Sequence, residues 1–244
     1  MSRLADRFAA LRREGRPGLV TYTTAGDPDL ARSAEILVTL DRAGADVLEV
    51  GVPFSDPLAD GAVIQRATER ALAAGGSLRA VLALVRDVRP RVTAPIVLFS
   101  YANPLMRMGL ETFARAAADA GVDGVLALDL PIEEAGPFRE ILSAAAVDTI
   151  FLLSPTTTDA RIGRAAALGR GFLYGISRLG VTGARDRVAS GAEQLVSRIR
   201  AQTDLPIALG FGISTPDHVA EVGAYADAAV VGSALVALIA EASG

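Results

Sequence analysis

Two carboxylates in one short stretch are the residues of this 244-residue chain best suited to acid–base chemistry: Glu49 and Asp60, in VLEVGVPFSDPLADG at 47–61. The stretch opens as an apolar strand, and side chains on a strand alternate between faces. Leu48 and Val50 therefore share one face, while Glu49 shares the other with Val47 and Gly51. Taking an ionised carboxylate out of water is costly, so a Glu committed to an apolar face needs a partner or a task. The plain alternative is a solvated Glu on an edge strand, which the apolar flanks argue against. Asp60 has an ordinary alternative too, as N-cap of the helix that AVIQRATERAL would form. It is the pair that points to general acid–base work. Asp56 and Asp60, at four-residue spacing, could instead hold Mg²⁺.

What the chain lacks narrows the chemistry. It has no Cys, all 24 basic residues are Arg, and His218 is the single histidine. Disulfides, a thiolate nucleophile and a thiolate zinc site are excluded. Without lysine there is no Schiff base, no attachment point for pyridoxal phosphate and no P-loop lysine. One imidazole cannot make a multi-histidine metal site. Proton transfer is left to carboxylates, tyrosines or His218.

Hydrophobic residues make up 51% of the chain and charged residues 21%, which supplies a globular core and argues against disorder. A net charge of -4 with both signs interspersed offers no basic stripe for nucleic acid or an anionic membrane. Small-molecule or protein partners are expected instead. No apolar run approaches the length of a membrane span, and the charged, amphipathic opening at 2–13 does not read as a signal peptide. A cytoplasmic location follows as the expectation.

Positioning the acids falls to eight predicted strands, at 19–23, 47–51, 95–100, 124–128, 149–153, 172–176, 206–210 and 228–231. Helices are predicted at the opening, at 29–43, at 62–89 with a break at the Gly pair, and at 111–120, 133–145, 159–167, 192–203, 215–222 and from 233 onward. The segments 101–109 and 177–190 read as loops. Most strands are apolar on both faces, which argues for a parallel sheet covered by helices. A weak internal echo, AGADVLEVG at 43–51, AGVDGVLALD at 120–129 and GAYADAAVVG at 223–232, marks three helix-to-strand turns. No linker interrupts the chain, so 1–244 is read as one domain. Eight strands, without a G-x-G-x-x-G turn after the first, favour a (β/α)8 TIM barrel with an extra N-terminal helix over an open doubly wound sheet. In such a barrel the loops after the strands share one rim, which would gather Glu49, Asp60, 101–109 and 177–190.

Three glycine-rich turns follow late strands: GVTG at 180–183, GFG at 210–212 and GS at 232–233. Barrels often bind phosphate with backbone N–H groups from the last two such loops and a helix N-terminus. Each turn alone could be ordinary, and Ser233 a plain N-cap. Together they imply a phosphorylated metabolite.

These residues resemble the α-chain family of tryptophan synthase. The similarity runs through TTAGDP at 23–28, LEVGVPFSDPLADG at 48–61, SYANP at 100–104, SRLGVTG at 177–183, GFGIS at 210–214 and VGSALV at 231–236. LEVGVPFSDPLADG is highly specific; GFGIS or VGSA alone would fit several phosphate-binding barrels. The resemblance implies a lyase that cleaves indole-3-glycerol phosphate to indole and glyceraldehyde 3-phosphate, with Glu49 and Asp60 as its catalytic carboxylates. Thr182 and Gly183 match the mobile loop over the site, and Gly183, Gly212, Gly232 and Ser233 the phosphate-binding positions. Tyr22, Phe99 and Tyr174 fall where the family lines its indole pocket, though they could equally be core aromatics. A β chain carrying pyridoxal phosphate is the implied partner, in an α2β2 assembly, with Pro53, Asp56, Asn103 and Asp129 on the loops facing it. This chain itself would carry no cofactor. It departs from the family's usual pattern at Thr21 and Ala62, where Pro is common, and in a short C-terminal helix.

In that reaction the indole C3 gains a proton, positive charge builds on the ring nitrogen and a glycerol hydroxyl loses a proton. Glu49 is expected to shuttle protons and Asp60 to stay ionised beside the indole N–H. Two other readings stay open: an activating subunit with little activity alone, and another phosphate-sugar barrel such as an aminoaldose isomerase.

Overall fold

The computed structural model describes residues 2–176, 191–210 and 212–242. Helix α1 (Arg3–Glu14) precedes β1 (Gly18–Thr24), α2 (Leu30–Arg42) and β2 (Val47–Gly51). Two helices, α3 (Ala62–Ala73) and α4 (Leu78–Val88), and a 3-10 turn at Arg89–Arg91 lead to β3 (Ile96–Ser100). Then come α5 (Ala102–Met108), α6 (Leu110–Ala120), β4 (Gly124–Ala127), α7 (Ala135–Ala144), β5 (Asp148–Leu153) and α8 (Asp159–Leu168). The chain continues through β6 (Leu173–Ile176), α9 (Ala192–Arg200), β7 (Ile207–Gly210), α10 (Pro216–Gly223), β8 (Ala228–Val231) and α11 (Ser233–Glu241). All eight strands pair in parallel, in chain order, and β8 closes on β1. This is the expected (β/α)8 barrel with its additional leading helix.

The strands separate two apolar layers, as side-chain alternation on doubly covered strands requires. Leu48, Val50, Ile96, Leu98 and Val125 point outward and pack with the helices, for example Leu37, Leu82, Val85 and Phe113. Val20, Val47, Val97, Leu126, Ile150, Ala208, Ala228 and Val230 fill the barrel. Leu4, Phe8 and Leu11 of α1 belong to the interior group, so α1 plugs the end of the barrel where strands begin. The Phe8 ring meets Phe172 at 5.5 Å.

The sequence echo acquires a physical meaning at that end. Each repeat carries an Asp just before its strand, and each accepts a backbone N–H from the neighbouring strand region. Asp46 takes that of Leu19 at 2.7 Å, Asp123 that of Ile96 at 2.8 Å and Asp227 that of Ile207 at 2.8 Å. Arginines neutralise these carboxylates: Arg7 and Arg16 on Asp46, Arg89 on Asp123 and Arg200 on Asp227. Arg3 and Arg12 of α1 also lie 3.8 Å from Asp123 and Asp227, so α1 spans all three.

Most predicted elements match the observed bounds within about two residues, and the segment 101–109 is the clear exception. Expected to be a loop, it contains α5. Pro104 falls in the first turn, where its missing N–H is no loss. The first N–H, that of Ala102, is satisfied by Asp129 Oδ1 at 2.6 Å, from a distant loop. The helix predicted to run to 203 ends at Arg200, and the one predicted from 133 begins at Ala135. Among the described residues no helix is long and apolar enough to cross a membrane.

Candidate active site

All five residues of β2 are buried, and Glu49 is 1% exposed. It pairs in register with Tyr22 of β1 and Val97 of β3, on the inward face that alternation assigns it. Neither carboxyl oxygen has a hydrogen-bond partner among the described residues. Burial pushes its ionisation up to about 8, so near neutral pH the side chain is mostly the uncharged acid. Such a group can give a proton, and the desolvated carboxylate left behind takes one back readily.

Asp60 reaches the rim from the segment between β2 and α3. The cap position of α3 is Gly61, with no side-chain cap, so Asp60 is not a helix cap. Its Oδ2 accepts a hydrogen bond from the Tyr101 hydroxyl at 3.1 Å. That hydroxyl accepts the Ala59 N–H at 3.0 Å. Gln65 of α3 donates to the Asp60 and Pro57 carbonyls, at 2.9 and 3.2 Å, and so ties the loop to the helix behind it. Burial pushes the Asp60 carboxyl up to about 6, and the Tyr101 bond acts against the rise. At neutral pH Asp60 is therefore mostly ionised while Glu49 is not.

Tyr22 links the two acids. Burial, then the charge of Asp60 and, more weakly, that of Glu49 raise its phenol above the ordinary value. Tyr174 of β6 is raised by burial and then by Glu49. The half-buried Phe99 meets the Tyr22 ring edge-on at 5.4 Å. The three aromatics line the barrel mouth around the acids. Glycine makes room for two of them: a Cβ at Gly51 would collide with the Tyr22 hydroxyl, and one at Gly210 with that of Tyr174.

The glycine-rich end adjoins the same tyrosine. A Cβ built on Gly232 would lie 3.4 Å from the Tyr22 Cβ. Gly232 occupies the cap position of α11 and makes no side-chain cap, and Ser233 is the first helical residue rather than the N-cap. The leading N–H groups of α11 are thus directed at the rim, where an anion would be favoured. Gly212 is exposed, with φ 81° and open space around its Cα. Thr182 and Gly183 lie within 177–190, outside the described residues. His218 is engaged in the turn after β7, where its Nδ1 accepts the Ser214 N–H at 3.4 Å.

The four residues expected on partner-facing loops differ in exposure. Asp56, Asn103 and Asp129 are exposed, whereas Pro53 is buried, its ring facing Gly76. Asp56 is bonded by the Ser55 hydroxyl and Asp60 by Tyr101, so the two carboxylates have separate partners. Among the described residues no group of three or more Asp, Glu or His could hold a metal ion.

Tyr101 is the site residue that sequence reasoning missed. Its signal was its place directly after β3, on the loop side where barrel sites are built, inside the SYANP segment.

The family model described as tryptophan synthase alpha chain matches residues 8–244. The alpha chain of Geobacter sulfurreducens is 52% identical over 238 residues, covering 98% of this chain and 90% of that protein. That of Citrifermentans bemidjiense is 50% identical over 236 residues, covering 97% and 88%. Among solved structures, tryptophan synthase from Mycobacterium tuberculosis superposes with a TM-score of 0.93 at 38% identity, covering 98% of this chain and 92% of that one. The tryptophan synthase α2β2 complex of Pyrococcus furiosus gives 0.88 at 40% identity, covering 93% and 92%.

Proposed function

The chain belongs to the tryptophan synthase alpha chain family, and we propose that Glu49 and Asp60 carry the reaction of that family in it. That reaction is the retro-aldol cleavage of indole-3-glycerol phosphate to indole and glyceraldehyde 3-phosphate, the α reaction of tryptophan biosynthesis.

The neutral Glu49 delivers its proton to the indole C3, and the carboxylate so formed takes the proton of the glycerol hydroxyl as the carbon–carbon bond breaks. One side chain closes the proton cycle. Asp60, ionised, faces the ring N–H and stabilises the positive charge that builds there. Tyr22, Phe99 and Tyr174 bound the ring. The N–H groups around Gly183, Gly212, Gly232 and Ser233 hold the phosphate, and Thr182 is assigned to the substrate loop after β6.

A β chain is the partner, in an α2β2 assembly of the kind solved for Pyrococcus furiosus, and pyridoxal phosphate is assigned to that partner alone. Leu58, 89% exposed, and Met106, 51% exposed, support docking at the rim beside Asp56, Asn103 and Asp129, because large apolar groups there gain by being covered. The cytoplasm is the location this reading favours.

One observation carries the assignment: a fully buried Glu whose two oxygens have no partner among the described residues, inside the mouth of a barrel. Glu49→Gln keeps size and polarity but cannot exchange the proton, so kcat for indole release falls by about 10²–10⁴ or more while substrate still binds. Unchanged turnover in that variant ends the assignment.

A further inference from the structure

We propose that Tyr101 is a positioning residue for the reaction, fixing the Asp60 carboxylate in place through a hydrogen bond that its hydroxyl donates. The proposal rests on the reading of Asp60 as a catalytic carboxylate.

The direction follows from counting protons. The Tyr101 oxygen receives the Ala59 N–H at 3.0 Å, and a backbone N–H can only donate. The phenol's single proton is left free for Asp60 Oδ2, 3.1 Å away, and an ionised carboxylate has no proton of its own and can only accept it. An ionised carboxylate accepts from any direction, while a protonated one has lost part of that capacity. The contact therefore favours the anion, opposing the burial that disfavours it.

Tyr101 is itself held firmly. It is 6% exposed, and its ring packs on Phe54 at 5.1 Å with 34° between planes. The next residue's N–H is fastened to Asp129 Oδ1 at 2.6 Å. One phenol thus joins the loop after β2, which carries Phe54, Ala59 and Asp60, to the start of α5 and through it to the loop after β4.

The groups facing Asp60 are few among the described residues. Tyr22 approaches from β1, with Glu49 beyond it; Tyr101 approaches from the β3–α5 junction, with Asp129 beyond it; Gln65 of α3 bonds the Asp60 carbonyl. Among the described residues Tyr101 alone donates to the carboxylate.

The test compares wild type, Tyr101→Phe, Asp60→Asn and the double variant, assayed for indole release across pH with the β chain present. In Tyr101→Phe, kcat falls roughly 10- to 100-fold, the loss expected for one hydrogen bond to a charged group. KM changes little, and the acidic limb of the kcat/KM profile moves upward by about one pH unit. The double variant is no slower than Asp60→Asn, because Tyr101 acts through the group already removed. An acidic limb that stays in place, or losses that multiply in the double variant, overturns the proposal. ¹³C NMR titration of the Asp60 carboxyl in wild type and Tyr101→Phe gives the same answer without turnover: an upward move supports it and an unmoved titration ends it. If Asp60→Asn itself keeps wild-type activity, the catalytic reading of Asp60 fails instead. Circular dichroism establishes that Tyr101→Phe is folded; should it not fold, Asp129→Ala, which frees the Ala102 N–H, must shift the same limb in the same direction or the proposal falls.

Discussion

The hydroxyl of Tyr22 occupies the space that a Cβ at Gly51, on the neighbouring strand, would need. Tyr22 pairs in register with Glu49, so its ring crosses to the next strand two residues further on and lies over the acid. Glycine at 51 is thus a requirement of the tyrosine, and the tyrosine a wall of the pocket. Gly51→Ala forces the ring to move, costs about 1–3 kcal/mol by overpacking and lowers kcat/KM. Tyr22→Phe in that background removes one of the three colliding atoms and recovers part of the stability, measured by urea unfolding. Full stability in Gly51→Ala alone contradicts the geometry.

The two acids titrate apart, and the rate must follow them. With the roles proposed for them, cleavage needs Asp60 ionised and Glu49 protonated. Asp60 is pushed up to about 6 and Glu49 up to about 8, so kcat/KM falls below the first value and above the second, with an optimum near neutrality. In Asp60→Asn the acidic limb disappears and the basic one stays. A profile flat from about 5 to about 9 is incompatible with the assigned roles.

The inward placement of Glu49 was legible from strand alternation alone, because the barrel leaves a two-residue period only two faces to choose between. The eight strands were legible for a different reason, as short runs apolar on both faces between turn residues. Asp60 was ambiguous by its local sequence, which suits a helix cap; the cap position is taken by Gly61 instead, and the carboxylate's partner is Tyr101, brought to it by the β2–β3 pairing. The helix at 102–108 escaped notice because its first N–H is satisfied by Asp129, a partner no local window contains. The echoing turns could be seen as repeats, but the purpose of Asp46, Asp123 and Asp227 emerges only once neighbouring strands lie side by side.

Asp46 anchors α1 and β1 away from the site, so its loss should affect stability more than catalysis. Burial alone would raise its carboxyl, but the bonds from Arg16, Arg7 and the Leu19 N–H prevail and lower it below the ordinary 3.8. A lowered folded value means stability that is present above 3.8 and lost as pH falls through the folded value. Asp46→Asn keeps an acceptor for Leu19 but no charge for the arginines. It should unfold about 2–3 kcal/mol more easily at pH 7 with kcat little changed, and the gap should close in strong acid. An equal gap at pH 7 and in strong acid argues against the charge as the cause.

Thr21 carries a different liability. It is 2% exposed, and its hydroxyl has no hydrogen-bond partner among the described residues. A buried polar atom without a partner costs about 1–3 kcal/mol. Thr21→Val has the same shape without that atom and should raise Tm while leaving kcat unchanged. A lower Tm would show that the hydroxyl is satisfied in solution.

Glu49 should show the opposite pH dependence to Asp46, and for a functional reason. Its folded value of about 8 lies above the ordinary 4.5, so the native state holds a proton that the unfolded chain has released between those values. Stability is fully present below 4.5, declines as pH rises through the window and stays reduced above about 8. Glu49→Gln has no such proton to lose. Its stability relative to wild type should therefore climb with pH by an amount on the order of a few kcal/mol, levelling off past the folded value. Parallel pH dependences in the two proteins would mean that the carboxyl is not desolvated in the native state. A rising difference, joined to lost turnover in the same variant, ties the instability of the buried acid to its use as a proton donor.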